Sequence, residues 1–151
     1  MNEKGQVTIE AMLIMGMFMV LLLTVSLPII FRTKASARDV SLVADARYVT
    51  DQIANAANSI VHPDEKRTMD VYVPGFTSPD TSIPVTIGTD GGNLTTTVAL
   101  PSGDETMTID LYGSGWAMYD GSTGSQSNIS EATGGRYNIA LRWKNITYWR
   151  R

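Results

Sequence analysis

The chain has 151 residues, a length typical of about one domain. Its net charge is −3, with 12 Lys and Arg against 15 Asp and Glu. This balance argues against nucleic acid as a partner, because phosphate contacts need an excess of basic residues. The chain has no cysteine and one histidine, which excludes disulfides and thiolate chemistry and leaves little for histidine chemistry. With no other catalytic motif present, we predict no enzyme activity, catalytic residue, metal site or cofactor.

An uncharged apolar segment runs from Ala11 to Phe31. As a helix with 1.5 Å rise per residue, it would span roughly 31 Å, about the thickness of a bilayer core. Its polar interruptions, Thr24 and Ser26, can bond back to helix carbonyls. We predict a helix that is inserted in a membrane or packed on all sides. A buried core helix and a cleaved secretory signal are the alternatives.

Glu10 stands at the edge of this apolar segment. A carboxylate that enters an apolar phase is costly, so we expect a cationic partner or a functional role. Lys4 could supply the cation if the start of the chain bends back. A free α-amino group, created by a cut between Lys4 and Glu10, would be a better partner.

Residues 4–10, KGQVTIE, lead directly into the apolar segment. This order resembles the class III signal peptide of archaeal type IV pilins: a short charged leader that ends in Gly, then Gln at the first mature position and Glu four residues later. The resemblance implies cleavage between Gly5 and Gln6 by a prepilin peptidase. It also implies that Gln6 and Glu10 act in assembly, the Glu10 carboxylate pairing with the amino group of Gln6 on a neighbouring subunit.

The same resemblance implies a function. The protein would be the structural subunit of a cell-surface filament used in adhesion, a helical homopolymer whose hydrophobic helices bundle together. Its partners would be further copies of itself, the peptidase, the pilus assembly machinery and, before assembly, the cytoplasmic membrane. Archaellins and tight-adherence pseudopilins share parts of the motif and remain alternatives.

The helix is expected to continue beyond the apolar segment, because residues 32–61 contain no Gly or Pro and are rich in Ala. Small and apolar residues from Val40 to Ile60 recur every three or four positions and mark one helical face. The dipeptide His62-Pro63 disfavours helix at residue 62, so the helix should end near Val61. A helix over 6–61 would be about 80 Å long, too long for a compact domain, which suggests a lollipop-shaped molecule.

The C-terminal region alternates apolar and polar residues with period two, the pattern of strands with one buried face. The alternating segments are 69–73, 83–87, 94–100, 107–111 and 137–143. Turns are predicted at 90–93 and 101–104, a strand start or edge at Pro84, a bulge near Asn145 and a long loop over 113–135.

We therefore predict an α+β protein in three parts. Residues 1–5 are the leader, residues 6–61 a long helix whose part 6–31 forms the filament core or membrane span, and residues 62–151 a β-rich head with an antiparallel, sandwich-like sheet. Between Arg67 and Arg136 there are eight acidic and no basic residues. We interpret this bias as a compositional feature of a Thr- and Ser-rich sheet rather than as a cation site.

Three N-x-[ST] sequons lie in the predicted head, at Asn93, Asn128 and Asn145. They are candidate N-glycosylation sites on an external domain. A single-pass membrane anchor that carries a lectin-like binding head is the alternative function, and in that case Trp143, Tyr148 and Trp149 could contact a sugar.

Overall fold

The computed structural model describes the backbone of residues 3–151 and the side chains of residues 9–151. It contains one helix, α1 at Glu3–Asn58, followed by ten strands. Pro28 lies inside α1 without ending it. The prediction of an α+β fold with a long apolar N-terminal helix is confirmed.

The helix ends at Asn58, three residues before the predicted end near Val61. Asn58 binds the chain at residues 110–112, where the strand Gly103–Asp110 ends: its carboxamide accepts from the Tyr112 N–H at 2.6 Å and donates to the Asp110 carbonyl at 3.2 Å. The Ile60 N–H donates to the Ala57 carbonyl at 3.0 Å, which tightens the chain into a turn. These side-chain and turn contacts end the helix before the His62-Pro63 restriction applies.

The chain divides into two compact units, Met1–Arg38 and Asp39–Arg151. The second unit therefore includes the C-terminal part of α1 as well as all the strands. The division into leader, helix and head at residues 5 and 61 concerns processing and function, and it stays a prediction.

Eight of the strands form two four-stranded sheets, and the other two form a small hairpin. Sheet I has the order β1-β9-β10-β7, sheet II has the order β6-β5-β4-β8, and β2 pairs with β3. The pairing is antiparallel except between β10 and β7, which run parallel. The strand limits are β1 Lys66–Val73, β2 Phe76–Ser78, β3 Thr81–Ile83, β4 Val85–Asp90, β5 Asn93–Leu100, β6 Gly103–Asp110, β7 Ala117–Asp120, β8 Ile129–Glu131, β9 Gly135–Arg142 and β10 Asn145–Arg150.

The turn predictions from Gly and Pro are confirmed. Strands β4 and β5 pair from Asp90 opposite Asn93, and Gly91 in the connecting turn has φ 65°, which glycine adopts without steric cost. Strands β5 and β6 form a second hairpin through residues 101–102. Strand β4 begins directly after Pro84.

Two predictions about the C-terminal region are wrong. The expected bulge near Asn145 is a two-residue hairpin turn, Trp143-Lys144, in which Lys144 has φ 59°. The expected loop over 113–135 contains β7 and β8. These strands are short, and they are held by pairing with β10 and β4, which are distant or non-adjacent along the chain. The amino-acid composition of residues 113–135 carries no signal for pairing with distant strands.

The core of the second unit contains residues from α1 and from both large sheets. The helix contributes a buried stripe with the expected helical spacing, Leu42, Ala46, Val49, Ile53, Ala57 and Ile60, the last just beyond its end. Val40 is predicted to lie on this face but is exposed, and the buried stripe begins at Leu42. Residues two positions apart lie on nearly opposite sides of a helix, so Val40 faces away from the core. Within this core the Thr50 and Thr96 hydroxyls are 2.6 Å apart and join the helix to β5.

Candidate assembly segment and head sites

The apolar part of α1 is exposed along its described length. Its large side chains from Ile9 to Phe31 are between 46% and 71% exposed, with Leu27 at the low end and Met17 at the high end. The segment is long and apolar enough to cross a membrane, and none of its most apolar stretch is buried. Burying an aliphatic or aromatic side chain of this size is worth about 1.5–3 kcal/mol. The segment is therefore unstable in water unless lipid or protein covers it.

The polar groups of this segment are adapted to an apolar environment. The Thr24 hydroxyl donates to the carbonyls of Val20 at 2.8 Å and Leu21 at 3.0 Å, as the sequence predicted.

Gly16 leaves a shallow notch on the helix surface, lined by neighbours such as Met12 and Val20. A notch at a small residue permits close approach of a second helix.

The predicted processing and assembly residues lie at the start of α1. The backbone of Gly5 and Gln6 is helical, but their side chains lie outside the described residues, so the cleavage site and the role of Gln6 stay predictions. Glu10 is exposed, and among the described side chains of residues 9–151 it has no ion-pair partner. Its carboxylate therefore enters the apolar segment without compensation from the described part of its own chain.

The head contains a buried carboxylate that the sequence analysis missed. Glu131, at the end of β8, is 3% exposed. Its carboxylate accepts hydrogen bonds from the Tyr137 hydroxyl at 2.9 Å, the Thr133 N–H at 3.2 Å and the Thr133 hydroxyl at 3.1 Å. The Arg150 guanidinium lies 3.1 Å from Oε2. The group joins β8 of sheet II to β9 and β10 of sheet I.

The electrostatics of this cluster favour the charged carboxylate. Burial acts to raise the pKa of Glu131, but the hydrogen bonds from Tyr137 and Thr133 and the charge of Arg150 outweigh it and lower the pKa. Burial and the bond to Glu131 raise the pKa of Tyr137 to about 12. The Arg150–Glu131 contact and the bonds from Tyr137 and Thr133 are those of a structural ion pair. In the sequence, Glu131 has no signal that separates it from an ordinary exposed acid.

The carboxamides of the three sequon asparagines all lie at the surface or partly buried, in different settings. In the orientation that satisfies its bonds, the Asn93 nitrogen donates to the Gly92 carbonyl at 3.1 Å and to the Asp110 carboxylate at 3.0 Å. The Asn128 carboxamide packs directly against the backbone of Gly88. The Asn145 oxygen accepts from the hydroxyl of its own sequon residue, Thr147, at 2.9 Å.

The aromatic residues near the C-terminus have structural contacts. Tyr148 is buried, and its hydroxyl donates to the Asn128 carbonyl at 3.1 Å. The indole of Trp149 packs on Gly121. Trp143 is half-buried and stacks edge to face with Tyr112, with ring centroids 6.3 Å apart. Within the described residues, no group of three His, Asp or Glu side chains is arranged as metal ligands would be.

Comparisons with protein families, with curated proteins and with solved structures find no match. The structure itself shows a pilin-like layout, one long apolar N-terminal helix followed by a β-sheet region. This layout is compatible with a pilin or with a membrane-anchored surface protein.

Proposed function

We propose that the protein is the structural subunit of an archaeal type IV pilus-like filament, and not an enzyme. The observation that carries the proposal is the apolar segment from Ala11 to Phe31, which is exposed along its whole length, on a chain that also has a folded β head. A segment with all faces exposed and apolar must be covered on all faces. Lipid does this before assembly, and the helices of neighbouring copies do it in the filament.

The exchange of lipid for protein needs a device that selects and aligns the partner. Glu10 provides it, because a carboxylate at the edge of an apolar segment gains strongly from a cation. Cleavage after Gly5 by a prepilin peptidase creates that cation at the amino group of Gln6. The notch at Gly16 then allows the helices to approach closely.

The mature N-terminus and the filament test this proposal together. Mass spectrometry of the protein from its native cells is expected to find a chain that starts at Gln6, and electron microscopy is expected to find surface filaments that contain it. A mature chain that retains Met1 and forms no filament would overturn the proposal.

The role of Glu10 has a separate test. Glu10→Gln is expected to reduce filament yield while the head folds normally. Asp45→Asn is the matched control, because Asp45 is an exposed acid on the same helix outside the apolar segment. Normal filaments from Glu10→Gln would remove the assembly role.

The head is the proposed external part of the filament, with adhesion as its task and N-glycans as its modification. Asn145 suits glycosylation better than its place at the start of a strand indicates, since its oxygen is held by Thr147 while its side chain is partly exposed. Glycopeptide mapping of Asn93, Asn128 and Asn145 tests which of the three sequons carry a glycan, and we expect one at Asn145.

A second function, a membrane-anchored surface domain that binds sugars, is favoured by a single feature. A groove of about 270 Å³ on sheet I is lined by Asp70, Val71, Tyr72, Arg136 and Arg151. The groove places the ring of Tyr72 beside charged groups that can form hydrogen bonds to a sugar hydroxyl. An uncleaved chain that remains monomeric in the membrane would favour this function over the pilin.

A further inference from the structure

Each large sheet of the head ends in an eight-residue strand that carries charge. Strand β1 is the terminal strand of sheet I, and β6 is the terminal strand of sheet II. A terminal strand presents backbone N–H and C=O groups that can pair with another chain. Proteins commonly protect such edges with charged side chains.

The two edges carry opposite charges. Strand β1 begins with Lys66 and Arg67, whereas β6 carries Asp104, Glu105 and Asp110, and all five residues are exposed. The acid within β1, Asp70, is paired with Arg151 at 3.4 Å and accepts from Asn138 at 3.1 Å. Asp64 and Glu65 directly precede the strand, and the Glu65 carboxylate accepts from the Val61 N–H at 2.9 Å, so the positive charge of this edge is confined to Lys66 and Arg67.

This charge distribution distinguishes the modes of self-association. Contact between two β1 edges, or between two β6 edges, brings like charges together and is disfavoured. Contact between β1 of one head and β6 of another brings opposite charges together. An interface between two different patches of the same chain is heterologous, and it continues from copy to copy as a ring or a helix.

We propose that the basic β1 edge of each head binds the acidic β6 edge of the next copy. The partner is a second copy of this chain, chosen because its complementary charges are on the same molecule. The inference rests on the proposed filament function and deepens it: the apolar helices hold the polymer together, while the two edges set the order of the heads. Lys66, Arg67 and the three acids of β6 then serve in recognition rather than only in protecting the edges.

Cysteine crosslinking tests this contact cleanly, because the chain has no cysteine of its own. The variant Thr68→Cys, Thr106→Cys places one thiol on each edge strand at an exposed position, and it is expressed as the full chain in cells that assemble filaments. Oxidised filaments are expected to give a ladder of covalent multimers on a non-reducing gel. Thr68→Cys with Ser122→Cys, which places the second thiol on the exposed turn after β7, is the matched control and is expected to give no ladder.

The possible outcomes separate the inference from the function on which it rests. Dimers from either single-cysteine variant would indicate a symmetric contact and overturn the inference. Filaments without a ladder, or crosslinks to a different protein or a surface polymer, would also overturn it while leaving the filament function intact. An absence of filaments from the unaltered chain would overturn both.

Charge exchange provides a second, independent measurement on the same cysteine pair. Reversing β1 alone (Lys66→Glu, Arg67→Glu) or β6 alone (Asp104→Lys, Glu105→Lys) is expected to reduce the ladder about tenfold, and combining the two reversals is expected to restore it. Restoration also shows that the reversed chains fold. Equal ladders from all three variants would overturn the proposed pairing of charges.

Discussion

Replacing Glu131 by Ala tests whether the buried carboxylate holds the two sheets of the head together. The substitution removes the only acceptor of the Tyr137 hydroxyl among the described residues, in a site where Tyr137 is itself buried. A buried hydroxyl left without a partner costs about 1–3 kcal/mol. Arg150 is 60% exposed and Thr133 is exposed, so water replaces most of the bonds that they lose, and the remaining cost is about 1 kcal/mol between them.

The expected total is about 3 kcal/mol of unfolding free energy, or a decrease of about 10 °C in the melting temperature of the head. Glu131→Gln should cost less, about 1–1.5 kcal/mol, because an amide still accepts from Thr133 and the Tyr137 hydroxyl can reverse its role and accept. The assay is urea unfolding of the full chain in detergent micelles, with tryptophan fluorescence as the signal. The buried indole of Trp116 reports on the core.

A double-mutant cycle with Tyr137→Phe identifies the mechanism. The Phe removes the hydroxyl that Glu131→Ala strands, so the two effects should fall short of additivity by about 1–2 kcal/mol. Additive effects, or a cost below about 1 kcal/mol for Glu131→Ala, would refute the account of a stranded hydroxyl.

The lowered pKa of Glu131 adds a dependence on pH. A folded-state pKa below the unfolded value gives stability that is present above the unfolded pKa and is lost as pH falls through the folded pKa. The wild type should therefore lose more stability than Glu131→Gln between about pH 5 and the acid limit. Parallel acid limbs for the two proteins would contradict the shift.

Three further predictions concern the head. Gly121→Ala should destabilise it by about 1–3 kcal/mol, because a Cβ there would overlap the indole of Trp149; urea unfolding measures the loss. Thr50→Val should cost about 1–3 kcal/mol by stranding the buried Thr96 hydroxyl, and adding Thr96→Val should recover part of it. Because the pKa of Tyr137 is raised to about 12, its contribution is complete below about pH 10 and is lost as pH rises through 12, so urea unfolding should show a larger loss of stability over this range for the wild type than for Tyr137→Phe.

The strands that the sequence predicted correctly are those whose determinants are local. The alternation in 94–100 and 137–143 follows from one buried face per strand, and the turn at Gly91 follows from the freedom of glycine at positive φ. A uniformly apolar segment without charge specifies an exposed or inserted helix in the same local way.

The features that the sequence did not predict depend on distant partners. Strand β7 exists because it pairs in parallel with β10, and β8 exists because it pairs with β4. The Glu131 carboxylate is held by Tyr137 and Arg150, which reach it from sheet I. The turn at Trp143-Lys144 lacks the Gly or Asn that usually marks such turns, so the alternation on either side of it predicts a bulge instead of a turn.

The division of α1 between the two units gives variants in the helix different expected consequences. Helix residues after Asp39 belong to the unit that contains the core, and Ile53 and Ala57 are completely buried there. Their replacement should prevent the head from folding and thus abolish every function at once. Glu10 belongs to the other unit and is exposed, so its replacement leaves the core of the head intact. A loss of filaments from Glu10→Gln therefore reports on assembly, whereas a loss from a variant at Ile53 reports only on folding.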